Sequence, residues 1–134
     1  MILMEFIKST DQKAIATYIL YRIVAELEMD KKVLWFMPGG SAIPIVRDIL
    51  SQLTQFDTKH LALTLTDERF GDPGHSDENW SAIMKDMPKL QGATYAPINT
   101  GETIGKTVAS HQKTLEKLIN WADHTVGFFG VGAD

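Results

Sequence analysis

In VLWFMPGGS, residues 33–41, five apolar residues without alternation run straight into a glycine turn. A run of that kind predicts a strand buried on both faces, as in the middle of a parallel sheet. Ile45, Ile49 and Leu53 then recur every four positions, which predicts a helix directly after the turn. The stretch is therefore the strand-turn-helix start of an α/β unit.

Helix-like and strand-like segments alternate on both sides of this unit. Apolar residues recur every four positions between Asp11 and Met29, which predicts a helix, and residues 61–66 form a second strand-like run. Strands that alternate with helices indicate an α/β fold, a Rossmann-like parallel sheet with helices on both faces. Further along, the sequence predicts a helix that is capped by Ser76 and ended by Pro88, and then a loose stretch at 95–98. A helix from near Thr103 to Trp121 and a strand at 125–129 are predicted to follow.

Composition limits the classes of protein. With 134 residues and 44% hydrophobic content, the chain can bury one ordinary core, so we expect a single domain over residues 1–134. The net charge of -4 and the scattered basic residues argue against nucleic acid as a partner. The lack of cysteine excludes a disulfide framework and a thiolate zinc site, and it fits the cytoplasm. The first residues lack a basic segment before a long apolar run, so we expect neither a signal peptide nor a membrane anchor.

Glycine-rich or charged segments follow each of the three predicted strands. They are residues 38–41, 67–69 and 130–134. Ligand sites of parallel sheets lie beyond the carboxyl ends of the strands, so we expect these segments to meet at one edge of the sheet. That edge is the predicted functional site.

The first segment has a physical reason to bind phosphate. Gly39 and Gly40 let the backbone approach an anion closely, and the following helix offers unpaired amides and its positive dipole end. Ser41 adds a hydroxyl donor. The alternative is a plain strand-to-helix turn, since short glycine motifs often occur without a ligand.

The second segment, Asp67-Glu68-Arg69, brings two carboxylates and a guanidinium to a strand end. A carboxylate there can accept a proton and arginine can hold a carboxylate or phosphate with two hydrogen bonds. The alternative is a solvated, self-neutralising charge cluster. His75 is either a proton-transfer group or an exposed loop histidine, and Asn79 either orients a sugar hydroxyl or caps a helix.

The third segment, residues 130–134, is a glycine turn that ends with the chain at Asp134. A buried strand that runs straight into a terminus at the functional edge is unusual, because chain ends tend to be dispensable surface. We therefore expect a domain truncated at its carboxyl end, with a frayed terminus as the alternative.

Together, the three segments resemble the 6-phosphogluconolactonase and glucosamine-6-phosphate deaminase superfamily over essentially the whole chain. Gly39-Gly40-Ser41 resembles its phosphate-binding Gly-Gly-Ser-Thr-Pro loop. Asp67-Glu68-Arg69 with His75 and Asn79 resembles its Asp-Glu-Arg signature with a trailing Ser-Asn, and residues 130–134 resemble the start of Gly-x-Gly-x-Asp-Gly-His. Deaminases usually place an aromatic residue where this chain has Arg69, so the resemblance favours the lactonase branch.

The resemblance implies hydrolysis of 6-phosphogluconolactone in the pentose phosphate pathway, with a small sugar phosphate as the partner and no metal or organic cofactor. The implied catalytic residues are Asp67, Arg69 and Asp134, of which Arg69 contacts the substrate and the two aspartates shape the site. The residues implied to bind substrate and its phosphate are Gly39, Gly40, Ser41, Arg69, His75 and Asn79.

The chain also departs from the family pattern. Ala42 and Ile43 replace Thr-Pro in the glycine loop, which removes one hydroxyl donor and predicts weaker phosphate binding. Glu78 stands where serine usually precedes the asparagine. The histidine that serves the family as general base is expected two residues after Asp134, so the printed chain lacks it and we expect it to be nearly inactive.

Two other functions stay open. One is a glucosamine-6-phosphate deaminase or isomerase with Asp67 as the proton-abstracting base. The other is a non-catalytic sugar-phosphate-binding module, against which the lack of a basic patch argues. A sheet without its later strands would expose an edge, so we also expect a homo-oligomer.

Overall fold

The computed structural model describes residues 6–129, which form one α/β unit. The elements are α1 (Gln12–Glu28), β1 (Val33–Met37), α2 (Ile43–Leu53), β2 (Leu61–Leu65), α3 (Asn79–Met84), β3 (Thr94–Tyr95), α4 (Ile104–Trp121) and β4 (His124–Gly127). A single 3-10 turn, Gly40–Ala42, leads into α2.

The four strands form one parallel sheet in the order β3-β2-β1-β4. β1 lies inside the sheet and pairs with β2 along its whole length, from Val33 opposite Leu61 to Met37 opposite Leu65. On its other side β1 pairs with β4, where Trp35 lies opposite Val126. The apolar run at 33–37 is therefore an interior strand, as predicted.

Helices α1 and α2 pack on one face of the sheet, and the connection of α4 assigns it to the other face. Val33, Trp35 and Met37 point to one face, where they pack in a buried core with side chains of α1 and α2 such as Ile23 and Ile49. Among the described residues this core contains none from α4. α4 connects β3 at one edge to β4 at the other, and a right-handed crossover in that direction lies on the opposite face. The predicted fold class is confirmed.

Side-chain caps explain where the long helices begin. The Asp11 carboxylate accepts hydrogen bonds from the backbone of Lys13 and Ala14 at the start of α1. The Thr103 hydroxyl accepts one from Lys106 at the start of α4. The bounds predicted for these two helices are therefore confirmed to within a residue or two.

The helix predicted after Ser76 is wrong in its bounds, because α3 begins only at Asn79 and ends at Met84, short of Pro88. The cap comes from a distant residue: the Glu68 carboxylate accepts hydrogen bonds from the backbone N–H groups of Asn79 and Trp80, at 2.6 and 3.0 Å. A second difference is β3, a two-residue strand in the stretch predicted to be loose.

Within residues 6–129, no helix combines the length and the apolar character needed to cross a bilayer.

Candidate functional site

The carboxyl ends of all four strands lie along one edge of the sheet. Pairing continues past the regular strands, since the Thr66 N–H donates to the Met37 carbonyl at 2.9 Å and the Phe128 N–H donates to the Phe36 carbonyl at 3.1 Å. The glycine loop at 38–41, the charged segment at 67–69 and the end of β4 are therefore neighbours in space. The third predicted segment, with Asp134, lies outside the described residues.

Gly39 joins the first two segments by direct contact with Asn79. A Cβ atom added at Gly39 would lie 2.2 Å from Asn79 Cγ and 2.3 Å from its Oδ1. The Asn79 amide thus occupies the space that any side chain at position 39 would need. Asn79 is 9% exposed, and its Nδ2 lies 3.4 Å from the Asp67 carbonyl and 3.5 Å from Asp67 Oδ1. A single buried amide therefore lies between the glycine loop and the charged segment and contacts both.

Gly40 and Ser41 face solvent at the start of α2. Gly40 has φ +63°, a left-handed conformation that favours glycine. The cap residue of α2, Ala42, makes no side-chain hydrogen bond to the first turn, although α1, α3 and α4 each receive one from an oxygen. The Ile43 N–H donates to the Gly40 carbonyl and Pro44 has no N–H, so the donors left for an outside group are the N–H groups of Gly40 and Ser41 in the turn before α2. The dipole at this end of the helix favours an anion.

Glu68 is occupied by the fold. Its Oε1 accepts from the backbone N–H groups of Arg69 at 2.8 Å and Asn79 at 2.6 Å, and its Oε2 accepts from that of Trp80 at 3.0 Å. Asp67, by contrast, is exposed, and its carboxylate contacts only the Asn79 amide within the described part of the chain. Of the two adjacent carboxylates, one builds α3 and the other faces solvent.

The main chain of Arg69 is held by hydrogen bonds, whereas its side chain is exposed and has no partner within residues 6–129. The Arg69 carbonyl oxygen lies 2.9 Å from His75 Nε2 and 2.9 Å from Asn99 Nδ2. Over residues 6–129, no hydrogen bond or ion pair reaches the Arg69 guanidinium, and the residue is exposed. The charge of this arginine is therefore available to a ligand at the edge of the sheet.

His75 holds the loop with both ring nitrogens. Because a carbonyl can only accept, the contact with the Arg69 oxygen places the proton on Nε2. Nδ1 then accepts from the Asp77 N–H at 3.3 Å. Both ring nitrogens of His75 are therefore used by backbone groups of the loop.

Two buried residues, Glu78 and Asn99, hold the loop at 69–78 together through hydrogen bonds, a role that the sequence did not predict for either. Glu78 is 5% exposed, and its carboxylate accepts from the Gly74 N–H at 3.1 Å and from Asn99 Nδ2 at 3.0 Å. Asn99 is 6% exposed and follows β3. Its one sequence signal is its place just beyond a strand end, and that strand was not predicted.

Acidic and histidine side chains do not gather into a metal-binding group anywhere in the described residues. The pKa of His111, on α4 and away from these loops, is lowered from its usual 6.5 by burial. The arrangement at the carboxyl edge is thus one of backbone amides, a free guanidinium and an exposed carboxylate. Such a set can bind an anion and polarise a carbonyl.

Comparisons with known proteins identify relatives. A family model described as glucosamine-6-phosphate isomerases/6-phosphogluconolactonase matches residues 8–134. No curated protein sequence matches the chain.

Two solved structures share the fold. A 6-phosphogluconolactonase from Thermotoga maritima aligns with a TM-score of 0.72 and 16% identity over 83% of this chain and 52% of its own. A 6-phosphogluconolactonase from Shewanella baltica OS155 aligns with a TM-score of 0.61 and 16% identity over 78% of this chain and 48% of its own. The chain therefore spans about half the length of each of these enzymes.

Proposed function

The chain belongs to the glucosamine-6-phosphate isomerase/6-phosphogluconolactonase family, and from that premise we propose that its carboxyl edge binds a phosphorylated sugar and serves the hydrolysis of 6-phosphogluconolactone. The observation that carries the proposal is the uncapped start of α2 behind Gly39-Gly40-Ser41, at the same edge as the unpaired guanidinium of Arg69. The first group suits a phosphate and the second suits a developing negative charge.

The phosphate half of the proposal rests on the glycine loop. Gly40 and Ser41 are exposed in the turn before α2, and over residues 6–129 no acceptor lies on their N–H groups. The Ser41 hydroxyl is exposed beside them. A phosphate held there would receive backbone N–H donors and the dipole of an 11-residue helix. Ala42 supplies no hydroxyl, so we expect only modest affinity for the phosphate alone.

The reacting half rests on Arg69 and Asp67. In lactone hydrolysis a base removes a proton from water, the oxygen adds to the ring carbonyl, and the ring C–O bond then breaks as the ring oxygen takes up a proton. The tetrahedral intermediate carries an oxyanion, which a guanidinium can stabilise. Arg69 is the candidate for that role, and Asp67 is the candidate for orienting the substrate.

The base is not assigned within the described residues. Glu68 is occupied by three backbone N–H groups and His75 by two backbone groups, so neither is free in this arrangement. Because residues 130–134 resemble the start of the family's Gly-x-Gly-x-Asp-Gly-His motif, we propose as the base a histidine two residues beyond Asp134. The roles of Asp134, the cytoplasmic location and a homo-oligomeric state stay predictions from the sequence.

The proposal is tested by the rate of 6-phosphogluconolactone hydrolysis, corrected for the spontaneous reaction. The 134-residue chain should be assayed beside a form that carries the native residues encoded after Asp134. We expect turnover by the longer form and its loss in Arg69→Ala. Ammonia release from glucosamine 6-phosphate, without lactone hydrolysis, would support the isomerase activity of the family instead. A folded longer form that acts on neither compound would contradict the proposal.

A further inference from the structure

Asn99 connects the end of β3 to the loop that carries Arg69. Its Nδ2 donates to the Arg69 carbonyl at 2.9 Å and to Glu78 Oε2 at 3.0 Å, and its Oδ1 accepts from the Gly71 N–H at 3.4 Å. Both amide hydrogens and the amide oxygen are therefore used. The residue is 6% exposed, so a lost partner would not be replaced freely by water.

We infer that Asn99 is a positioning residue for Arg69: it anchors the Arg69 main chain to the end of β3 and thereby presents the unpaired guanidinium at the carboxyl edge of the sheet. The inference rests on the proposed function, because that function assigns Arg69 to the substrate. The Arg69 side chain makes no bond of its own within residues 6–129, and the segment around it has no regular structure, so its position depends on main-chain anchors. Asn99 shares the Arg69 carbonyl with His75 Nε2, at 2.9 Å each, and Asn99 is the one that ties it to the end of β3.

Glu78 fixes the orientation of the Asn99 amide. Its buried carboxylate accepts from Asn99 Nδ2 and from the Gly74 N–H, and it cannot donate. A flipped amide would point its oxygen at this carboxylate and at the Arg69 carbonyl, so only one orientation satisfies both acceptors. Glu78 thus selects the orientation in which Asn99 holds Arg69.

This orientation makes Asn99→Asp a severe change despite its similar shape. The new carboxylate would face the buried Glu78 carboxylate and leave the Arg69 carbonyl without this donor. Adding Glu78→Gln restores a donor-acceptor pair between positions 78 and 99, yet it returns no donor to Arg69. The double variant therefore separates the stability of the loop from the position of Arg69.

Binding of 6-phosphogluconate to the 134-residue chain, measured by titration calorimetry, tests the inference. We expect Asn99→Ala to weaken binding about tenfold, the size of a lost charge-assisted contact. In an Arg69→Ala background the same change should have no further effect, because Asn99 acts through Arg69. The variant Glu78→Gln with Asn99→Asp should regain stability relative to Asn99→Asp alone but keep the weakened binding.

Thr58→Val is the matched control. Thr58 is 1% exposed and its hydroxyl donates to the Gln91 carbonyl at 2.7 Å, at the opposite, amino end of the strands. Its loss should lower stability and leave the affinity unchanged. Wild-type affinity in Asn99→Ala, or equal weakening with and without Arg69, would overturn the inference.

Amide hydrogen exchange decides the anchoring without a ligand. Amides of residues 69–75 should exchange faster in Asn99→Ala than in the wild type and keep their wild-type rates in Thr58→Val. Unchanged rates in Asn99→Ala overturn the inference whether or not a ligand binds. If the wild type fails to bind 6-phosphogluconate while the loop loosens as expected, the proposed function fails and the anchoring role of Asn99 stands.

Discussion

Replacing Gly39 by alanine should destabilise the protein through one contact, that with Asn79. Gly39 has φ -103°, which alanine adopts without strain, so the cost is purely steric. The new Cβ would lie 2.2 Å from Asn79 Cγ, and the amide must retreat by about 1.2 Å to reach 3.4 Å, where ordinary contact begins. Asn79 cannot yield easily, because its backbone is held by Glu68 at 2.6 Å. Overpacking of this kind costs about 1–3 kcal/mol, and we expect about 2 kcal/mol.

A double-mutant cycle in urea isolates this contact. Asn79→Ala removes the obstructing amide, so the combination of Gly39→Ala and Asn79→Ala should cost less than the sum of the single changes, by about 1–2 kcal/mol. Gly40→Ala is the matched control, because a Cβ there meets nothing within 4 Å while φ is +63°. Its cost, about 1–2 kcal/mol from the left-handed backbone, should not change when Asn79 is replaced. Additive costs for Gly39 and Asn79, or an alanine at position 39 that costs nothing, would refute the contact.

Three further predictions concern stability. Glu68→Ala removes the acceptor at the start of α3 and should lower the free energy of unfolding in urea by about 1–2 kcal/mol. Glu68→Gln keeps one acceptor oxygen and should lower it by less. Equal losses in the two variants would contradict the capping role of Glu68. Arg47 Nη1 lies 2.9 Å from the Ile83 carbonyl and 2.7 Å from the Lys85 carbonyl, which links α2 to the end of α3. Arg47→Met should therefore lower the free energy of unfolding by about 1.5–3 kcal/mol, and Arg47→Lys by less. An Arg47→Met variant as stable as the wild type would contradict this link. Burial lowers the pKa of His111 below 6.5, so the unfolded chain binds more protons there and stability should fall as the pH drops below 6.5, levelling off beneath the folded-state pKa. His111→Gln should flatten this part of the stability profile, and an unchanged slope would contradict it.

The sequence predicted the parts of the fold that local pattern controls. The apolar run at 33–37 and the four-residue period of α1 and α2 are local signals, and the strand and both helices lie where those signals place them. The start of α3 was not predictable in this way, because its cap, Glu68, lies eleven residues before Asn79 along the chain. β3 was missed because two residues carry no periodicity.

The residues of the candidate site also differ in whether a local sequence pattern predicts them. Gly39, Gly40 and Arg69 were found from glycine and charge at predicted strand ends, and the structure brings their segments to one edge of the sheet. The groups that support them, Glu78 and Asn99, act through hydrogen bonds between segments distant in sequence. Single-sequence reasoning has no signal for such pairs.

Binding of a phosphorylated sugar at the carboxyl edge of the sheet can be followed in an amide NMR titration of the 134-residue chain with 6-phosphogluconate. We expect saturable shifts concentrated at residues 39–43 and at Arg69, with inorganic phosphate competing only at residues 39–43. A folded chain whose amides at 39–43 and at Arg69 do not respond to 6-phosphogluconate would contradict it.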